Sequence, residues 1–128
     1  MVDHAIRMPT ECTPYFNTFG LRICETGTAG RSVFASQPIE SNTIIEISPL
    51  LLFNPEEYEA HGRHTILDSY TFVWERNTSG NTMALALGLG SLFNHHPTSA
   101  NVSYELDKTT RSIRYRTVRQ IQKGEELC

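Results

Sequence analysis

The chain has 128 residues, a net charge of −3 and ordinary proportions of apolar and charged residues, which predict one globular domain with a sizeable core. Lys and Arg form no cluster or stripe, so we expect no direct binding of nucleic acid. The longest apolar run, residues 83–93, is too short to span a bilayer, and we expect no membrane association.

The first half of the chain predicts short strands. Apolar and polar residues alternate in 21–25, and a second strand is predicted at 32–35, so the small residues between them favour a hairpin whose tip exposes backbone N–H groups. A β-branched strand over 43–48 is predicted to end at Pro49. The apolar run 50–53 then becomes a connection.

The middle of the chain predicts one short helix and one aromatic strand. Pro and acidic residues begin 55–62 and Gly ends it, which is typical of a helix. Residues 67–75 are predicted to form a strand. In 83–93, Gly88 and Gly90 favour a compact turn, and the polar groups of Asn94, His95 and His96 follow it directly.

Two further strands are predicted at 101–107 and 113–118, joined by a polar turn. The closing segment repeats a pattern seen earlier: Ile39, Asn42 and Ile45 correspond to Ile121, Gly124 and Leu127. Because Asn and Gly tolerate positive φ, each copy predicts an apolar anchor, a tight turn and the start of a strand.

Cysteine and histidine residues offer little pattern. Cys12, Cys24 and Cys128 are widely spaced and contain no C-x-x-C pair, so we expect reduced thiols. Four histidines could join them in a metal site, but they have no recognisable ligand spacing. We therefore expect no metal; the four histidines are His61, His64, His95 and His96.

Ordered segments in this chain resemble the SET-domain lysine methyltransferases. The resemblance implies a mostly β (α+β) SET-domain fold of small curved sheets with a pseudoknotted C-terminus, spanning 21–128 after a lead-in of residues 1–20. The matching segments are 29–35, like that family's first cofactor loop, 67–72, residues 84–95 with Asn101 and Val102, like its Asn-His motif, and 121–127.

The same resemblance implies methyl transfer from S-adenosylmethionine to a lysine ε-amine, most readily of a histone tail, by a chromatin regulator in the nucleus, with the cytoplasm as a second location. Tyr70 would form a wall of the lysine channel and supply a hydroxyl partner. The implied cofactor-binding residues are Gly30, Arg31, Ser32, Asn94 and His95.

Other interpretations stay open at this stage. Ser32 stands where the family has a second glycine, and the segment after His95 is one residue longer than usual, which would suit a catalytically inert SET-like binding module. A non-histone substrate is equally compatible with the sequence. Tyr70 could be a core aromatic, and Asn94 and His95 could cap a turn and fill the core.

Two expectations concern assembly and extent. The run 50–53, as an apolar connection, could support a two-fold homodimer. The family has a Tyr shortly after the Gly-Glu-Glu-Leu segment, so we expect the chain to continue past Cys128 to that Tyr.

Overall fold

A computed structural model of the chain describes residues 12, 13, 16–27, 30–95 and 98–128, in which antiparallel strands dominate. The strands make two sheets, with orders β1-β2-β3-β9 and β5-β6-β4-β8-β7. Their bounds are β1 Cys12–Thr13, β2 Leu21–Glu25, β3 Arg31–Ala35, β4 Ile44–Phe53, β5 Thr71–Glu75, β6 Thr82–Ala86, β7 Val102–Asp107, β8 Ser112–Thr117 and β9 Glu126–Leu127.

Among the described residues, helical structure is limited to short pieces. One α-helix, α1 (Pro55–Ala60), begins at Asn54, whose side chain accepts a hydrogen bond from the backbone N–H of Glu57. Three 3-10 turns follow along the chain, at Gly62–His64, Ile66–Ser69 and Gly90–Leu92. Within the described part of the chain, no helix has the length and apolar character needed to cross a membrane.

One core joins the two sheets. Alternate residues of the strands point inward, as period-2 patterning requires, and the closing segment adds two more anchors. The fully or nearly fully buried apolar members are Leu21, Ile23, Val33, Ala35, Ile39, Ile45, Ala86, Leu89, Ile113, Tyr115, Ile121 and Leu127.

The structure confirms most of the predicted elements. The hairpin forms as β2 and β3, with Leu21 opposite Ala35, and the two late strands form as β7 and β8. The repeated pattern also forms: Asn42 and Gly124 have φ of 60° and 91°. In addition, Ile39 and Ile121 pair with each other in an isolated antiparallel bridge.

Two predicted boundaries are wrong. Strand β4 continues through Pro49 to Phe53, so the apolar run 50–53 is a strand paired with β6 and not a connection. Pro49 stands where the pairing of β4 changes, since it is the last β4 residue paired with β8 and the β6 pairing begins at Leu50. The predicted strand 67–75 begins only at Thr71, since its first residues form the 3-10 turn Ile66–Ser69.

The expectation of reduced thiols is also wrong for two cysteines. Cys12 and Cys24 lie opposite each other in the β1–β2 pair and form a disulfide. Their Cα atoms are 4.2 Å apart, a separation typical of facing residues on adjacent strands. The sequence spacing could not reveal this, because only the strand register brings the two thiols together.

We predict that Cys12→Ser lowers the free energy of unfolding by about 3 kcal/mol under non-reducing conditions, because a closed loop restrains the unfolded chain. Chemical denaturation measures the difference. In dithiothreitol the variant and the wild type should unfold at the same denaturant concentration. Three reactive thiols in denatured, unreduced wild type would contradict the disulfide.

Candidate active site

A cleft of about 490 Å³ opens between the edge strands β5 and β7 and the segment that follows β6. Its walls are largely aromatic and apolar, with a few polar groups at one end, which is the usual character of a ligand site. The lining residues central to the site are Tyr70, Phe72, Arg76, Gly90, Phe93, Asn94, His95, Val102, Tyr104, Leu106, Tyr115 and Cys128.

The turn that leads to Asn94 is held by strand β4. Glu46 and Ser48 share one face of β4, and both accept backbone hydrogen bonds from this turn. The Glu46 carboxylate accepts the N–H of Leu89 at 2.6 Å, and the Ser48 hydroxyl accepts the N–H of Gly90 at 3.2 Å. The turn therefore has a fixed position on the five-stranded sheet.

Tyr115 of β8 holds the same turn from the other side. Its hydroxyl donates to the carbonyl oxygen of Gly90 at 3.2 Å, and its ring lies 4.6 Å from the ring of Phe93. A Cβ at Gly90 would approach the Tyr115 hydroxyl and the Ser48 hydroxyl to 2.7 and 2.6 Å. Only glycine fits this position without displacing its neighbours.

Asn94 connects the turn to the first hairpin. Its side-chain amide donates to the hydroxyl of Ser32 at 3.0 Å, and Ser32 is fully buried in β3. The serine thus supplies an acceptor that a glycine would lack. Through this bond the structure brings Ser32 and Asn94, two of the predicted cofactor residues, into direct contact.

The remaining predicted cofactor residues, His95, Gly30 and Arg31, have different surroundings. His95 is exposed and lines the cleft beside Asn94. Gly30 has φ of 72° at the hairpin tip, and no heavy atom lies within 4 Å of where its Cβ would be. This space leaves the backbone open to a ligand. Arg31 is exposed at the start of β3, and neither it nor Gly30 is among the cleft-lining residues.

Tyr70 lines the cleft at the start of β5. It ends the 3-10 turn Ile66–Ser69 and lies just before β5, so it is not a strand residue as predicted. Its side chain is 41% exposed and lines the cleft. The alternative of a core aromatic is therefore wrong for Tyr70, whereas Trp74 in β5 is buried at 7% exposure.

Asn101 secures the floor of the site to the end of the chain. The residue is buried, and its side chain donates to the carbonyl of Glu126 at 2.8 Å and accepts the N–H of Cys128 at 2.9 Å. Its own N–H and that of Val102 donate to the backbone oxygen of Cys128. The chain end thereby lies between β3 and the start of β7.

Acidic groups shape the electrostatics around this crossing. Partial burial opposes ionisation of Glu125, yet hydrogen bonds from Arg119 and from the backbone of Gln122 hold the pKa of its carboxyl below the ordinary value. Burial, then the Glu126 carboxylate, raises the pKa of the Cys128 thiol. The thiol that lines the cleft therefore stays protonated at neutral pH.

Sequence reasoning missed several cleft residues. Tyr104 and Tyr115 lie on paired strands, and the alternation of 113–117 could have placed Tyr115 inward. Nothing in the sequence indicated a role for Glu46 at the site, because its partner Leu89 is distant in sequence. A second, open groove of about 850 Å³ lies along α1 and residues 77–81, but none of the predicted site residues lines it.

No group of three potential metal ligands converges among the residues that the structure describes. His96, one of the four histidines considered above, lies outside the described residues. The polar groups that line the cleft are backbone groups, hydroxyls, the Asn94 amide, the His95 ring, the Arg76 guanidinium and the Cys128 thiol. Such a set suits a polar organic ligand.

Comparisons with known proteins agree with this geometry. A family model described as the SET domain matches residues 30–128. The histone-lysine N-methyltransferase, H3 lysine-37 specific, of Schizosaccharomyces pombe is 50% identical over 110 residues, which cover 84% of this chain and 70% of that protein.

Two solved structures share the fold. A Plasmodium falciparum chain described as a histone methyltransferase superposes with a TM-score of 0.57 at 24% identity, covering 84% of this chain and 89% of its own. A SET protein of Cryptosporidium gives a TM-score of 0.64 at 20% identity, covering 84% of this chain and 55% of its own. At such identities the similarity shows the fold alone, and it confirms the expected fold class.

The contact between Tyr115 and Gly90 generates a prediction about stability. Tyr115→Phe should lower the free energy of unfolding by about 0.5–1.5 kcal/mol at neutral pH, the usual worth of one buried hydrogen bond. Tyr104→Phe is the matched control, because Tyr104 is 68% exposed, and it should change little. Denaturant unfolding of both variants measures the difference.

The difference in the free energy of unfolding between wild type and Tyr115→Phe should become smaller at alkaline pH. Burial, with Glu46 and Tyr104 nearby, raises the pKa of the Tyr115 hydroxyl in the folded state. Wild type therefore loses stability as pH rises above about 10, the pKa of an unfolded tyrosine, and the phenylalanine variant lacks this loss. A deficit that widens above pH 10 would contradict the buried, protonated hydroxyl.

Proposed function

Because the chain belongs to the SET-domain family, we propose that it is a protein-lysine N-methyltransferase that uses S-adenosylmethionine and modifies a histone tail. The observation that carries this proposal is the hydrogen bond between Ser32 and Asn94 at the polar end of an aromatic cleft. It joins the two segments that resemble the family's cofactor-binding motifs.

The residues present fit an adenosyl cofactor. Gly30 leaves free space beside its backbone, and the Asn94 amide has a second N–H available after donating to Ser32. We propose that Gly30 and Arg31 contact the methionine part, that the buried Ser32 acts through its hydrogen bond to Asn94, and that Asn94 and His95 hold the adenine and amino ends. When bound, the cofactor supplies a methyl group on a positively charged sulfur.

The aromatic part of the cleft can prepare the substrate lysine. A lysine attacks only when neutral, and deprotonation at pH 7 costs about 4–5 kcal/mol for an unperturbed amine. Entry between Tyr70 and Tyr104 removes water from the ammonium, which lowers the pKa of the lysine. The proton then leaves to solvent without a strong general base.

The remaining requirement is alignment of the amine with the methyl group. In this proposal the Tyr70 hydroxyl accepts a hydrogen bond from the substrate amine and directs its lone pair along the cleft. The Asn94 end of the cleft is fixed by Glu46, Ser48 and Tyr115, so cofactor and amine are held by opposite walls of one site.

A histone tail suits the charge of the protein. The chain carries a net charge of −3, which favours association with a segment rich in Lys and Arg. Histone H3 is the first substrate to test, because the fission yeast relative is named for that histone. A histone substrate also places the protein in the nucleus as a chromatin regulator.

We predict that the wild type adds 14 Da increments to a lysine of an H3 tail peptide and that two variants separate the roles of the cleft walls. Asn94→Ala should weaken S-adenosylhomocysteine binding about tenfold, since a positioned hydrogen-bonding group is lost. Tyr70→Phe should keep that affinity and lower kcat about tenfold or more. Calorimetry and mass spectrometry measure the two effects.

Asn81→Ala is the matched control for Asn94→Ala, since Asn81 lines the separate groove beside α1. Its cofactor affinity and turnover should equal those of the wild type. A well-folded wild type that binds neither S-adenosylmethionine nor S-adenosylhomocysteine would refute the enzyme and support an inert SET-like module. Methylation of other proteins in a cell extract, with histones left unmodified, would refute the histone assignment alone.

We also propose a homodimer. Because residues 50–53 belong to strand β4, its interface would be a face of the five-stranded sheet. Ile47 and Leu51 point away from the core on the outer face of β4, at 54% and 49% exposure. Leu87 is 41% exposed and its N–H donates to the neighbouring Pro49 carbonyl, so the three side chains form one apolar patch. Two such patches can pack on each other around a two-fold axis.

Light scattering should give twice the chain mass for the wild type and the monomer mass for Leu51→Lys, because a buried unpaired charge opposes the interface. Ile66→Lys is the matched control: Ile66 is 73% exposed but lies on a 3-10 turn outside the patch. It should remain dimeric. A monomeric wild type at micromolar concentration would refute the dimer.

A further inference from the structure

Lys108 reaches across the cleft end to the opposite edge of the five-stranded sheet. Strands β5 and β7 are the two edges of that sheet and do not pair with each other. Lys108 follows β7, yet its Nζ donates to the carbonyl oxygen of Trp74 in β5 at 2.6 Å and lies 3.6 Å from the centre of the Trp74 ring. One side chain thus makes two contacts with the far wall.

Irregular local backbone structure surrounds both Trp74 and Lys108. The β5–β6 register shifts between Val73 and Glu75, so Trp74 lies at an irregularity of the ladder, and its carbonyl accepts the hydrogen bond from Lys108. On the other side, the Asp107 carboxylate accepts the N–H groups of Thr109 and Thr110. That turn holds Lys108 in a defined direction.

The contact lies at the end of the cleft that is far from Asn94. Phe72 and Val73 of β5 and Tyr104 and Leu106 of β7 line the cleft, and the Lys108–Trp74 contact lies just beyond them on both strands. The contact therefore connects the two strands that form these walls.

We propose that Lys108 is a positioning residue that clasps β5 to β7 and sets the width of the substrate cleft. The assignment rests on the proposed lysine methyltransferase function. With the clasp intact, the walls are pre-organised for a single lysine side chain, which lowers the ordering cost of peptide binding. The cofactor end, held by Ser32, Glu46 and Tyr115, is independent of the clasp.

The contact can be observed directly, because Trp74 is the sole tryptophan of the chain. A cation over the indole ring perturbs its fluorescence, so Lys108→Met should change the emission maximum or intensity while it preserves most of the aliphatic stem. Lys108→Arg keeps a cation and a donor and should restore the wild-type emission. This measurement needs neither cofactor nor peptide.

Kinetics then test the role in the cleft. Lys108→Met should raise KM for an H3 peptide about fivefold to tenfold, as expected for one lost cation–π contact, with the S-adenosylhomocysteine affinity unchanged within about twofold. Lys108→Arg should return KM towards the wild-type value. Lys123→Met, an exposed change on the turn before β9, is the control and should alter neither emission nor KM.

Each outcome separates the clasp from the proposed function. Unchanged emission and KM in Lys108→Met would overturn the proposal, as would an Lys108→Arg variant that is as impaired as Lys108→Met. An equal loss of cofactor affinity in Lys108→Met would also overturn it, since the effect would then be general unfolding. A wild type inactive on every histone peptide would refute the histone assignment, while the emission spectra would still decide whether the clasp exists.

Discussion

The hydrogen bonds of Asn101 are the constraint on which the site depends. One buried side chain binds both the Glu126 carbonyl and the Cys128 N–H, and the adjoining backbone binds the Cys128 oxygen. Because β9 pairs with β3 while Asn101 leads into β7, these bonds join the four-stranded sheet to the five-stranded sheet. Together with the shared core and the Ser32–Asn94 bond, they hold the hairpin and the cleft in one unit.

The cleft is built from groups that are distant in sequence. Ser32 comes from the first sheet, whereas the turn that carries Asn94 is held by Glu46 and Tyr115 of the second sheet. Each of these bonds is modest alone, but together they fix one polar end opposite a wall of aromatic side chains. A methyl transfer that depends on alignment requires such a rigid frame.

Much of the fold could be predicted from local sequence patterns. Alternation predicted β2, the strands β7 and β8 were predicted around a polar turn, and the positive φ of Asn42 and Gly124 followed from residue type. The wrong predictions depended on contacts between distant segments. Strand β4 continues past Pro49 because β6 pairs with it, and strand register brings Cys12 next to Cys24. For the site, the segments that resemble the family pointed to Tyr70 and Asn94, and both residues line the cleft. Glu46 and Lys108 act through partners that no sequence window contains.

Hydrogen exchange in the presence of S-adenosylhomocysteine tests most directly whether the junction of the two sheets is the cofactor site. Backbone amides in residues 30–35, 89–95 and 101–104 should exchange more slowly with the ligand bound, with no change in residues 55–65, which lie beside the separate groove. Protection confined to residues 55–81, or no protection anywhere at saturating ligand, would contradict it.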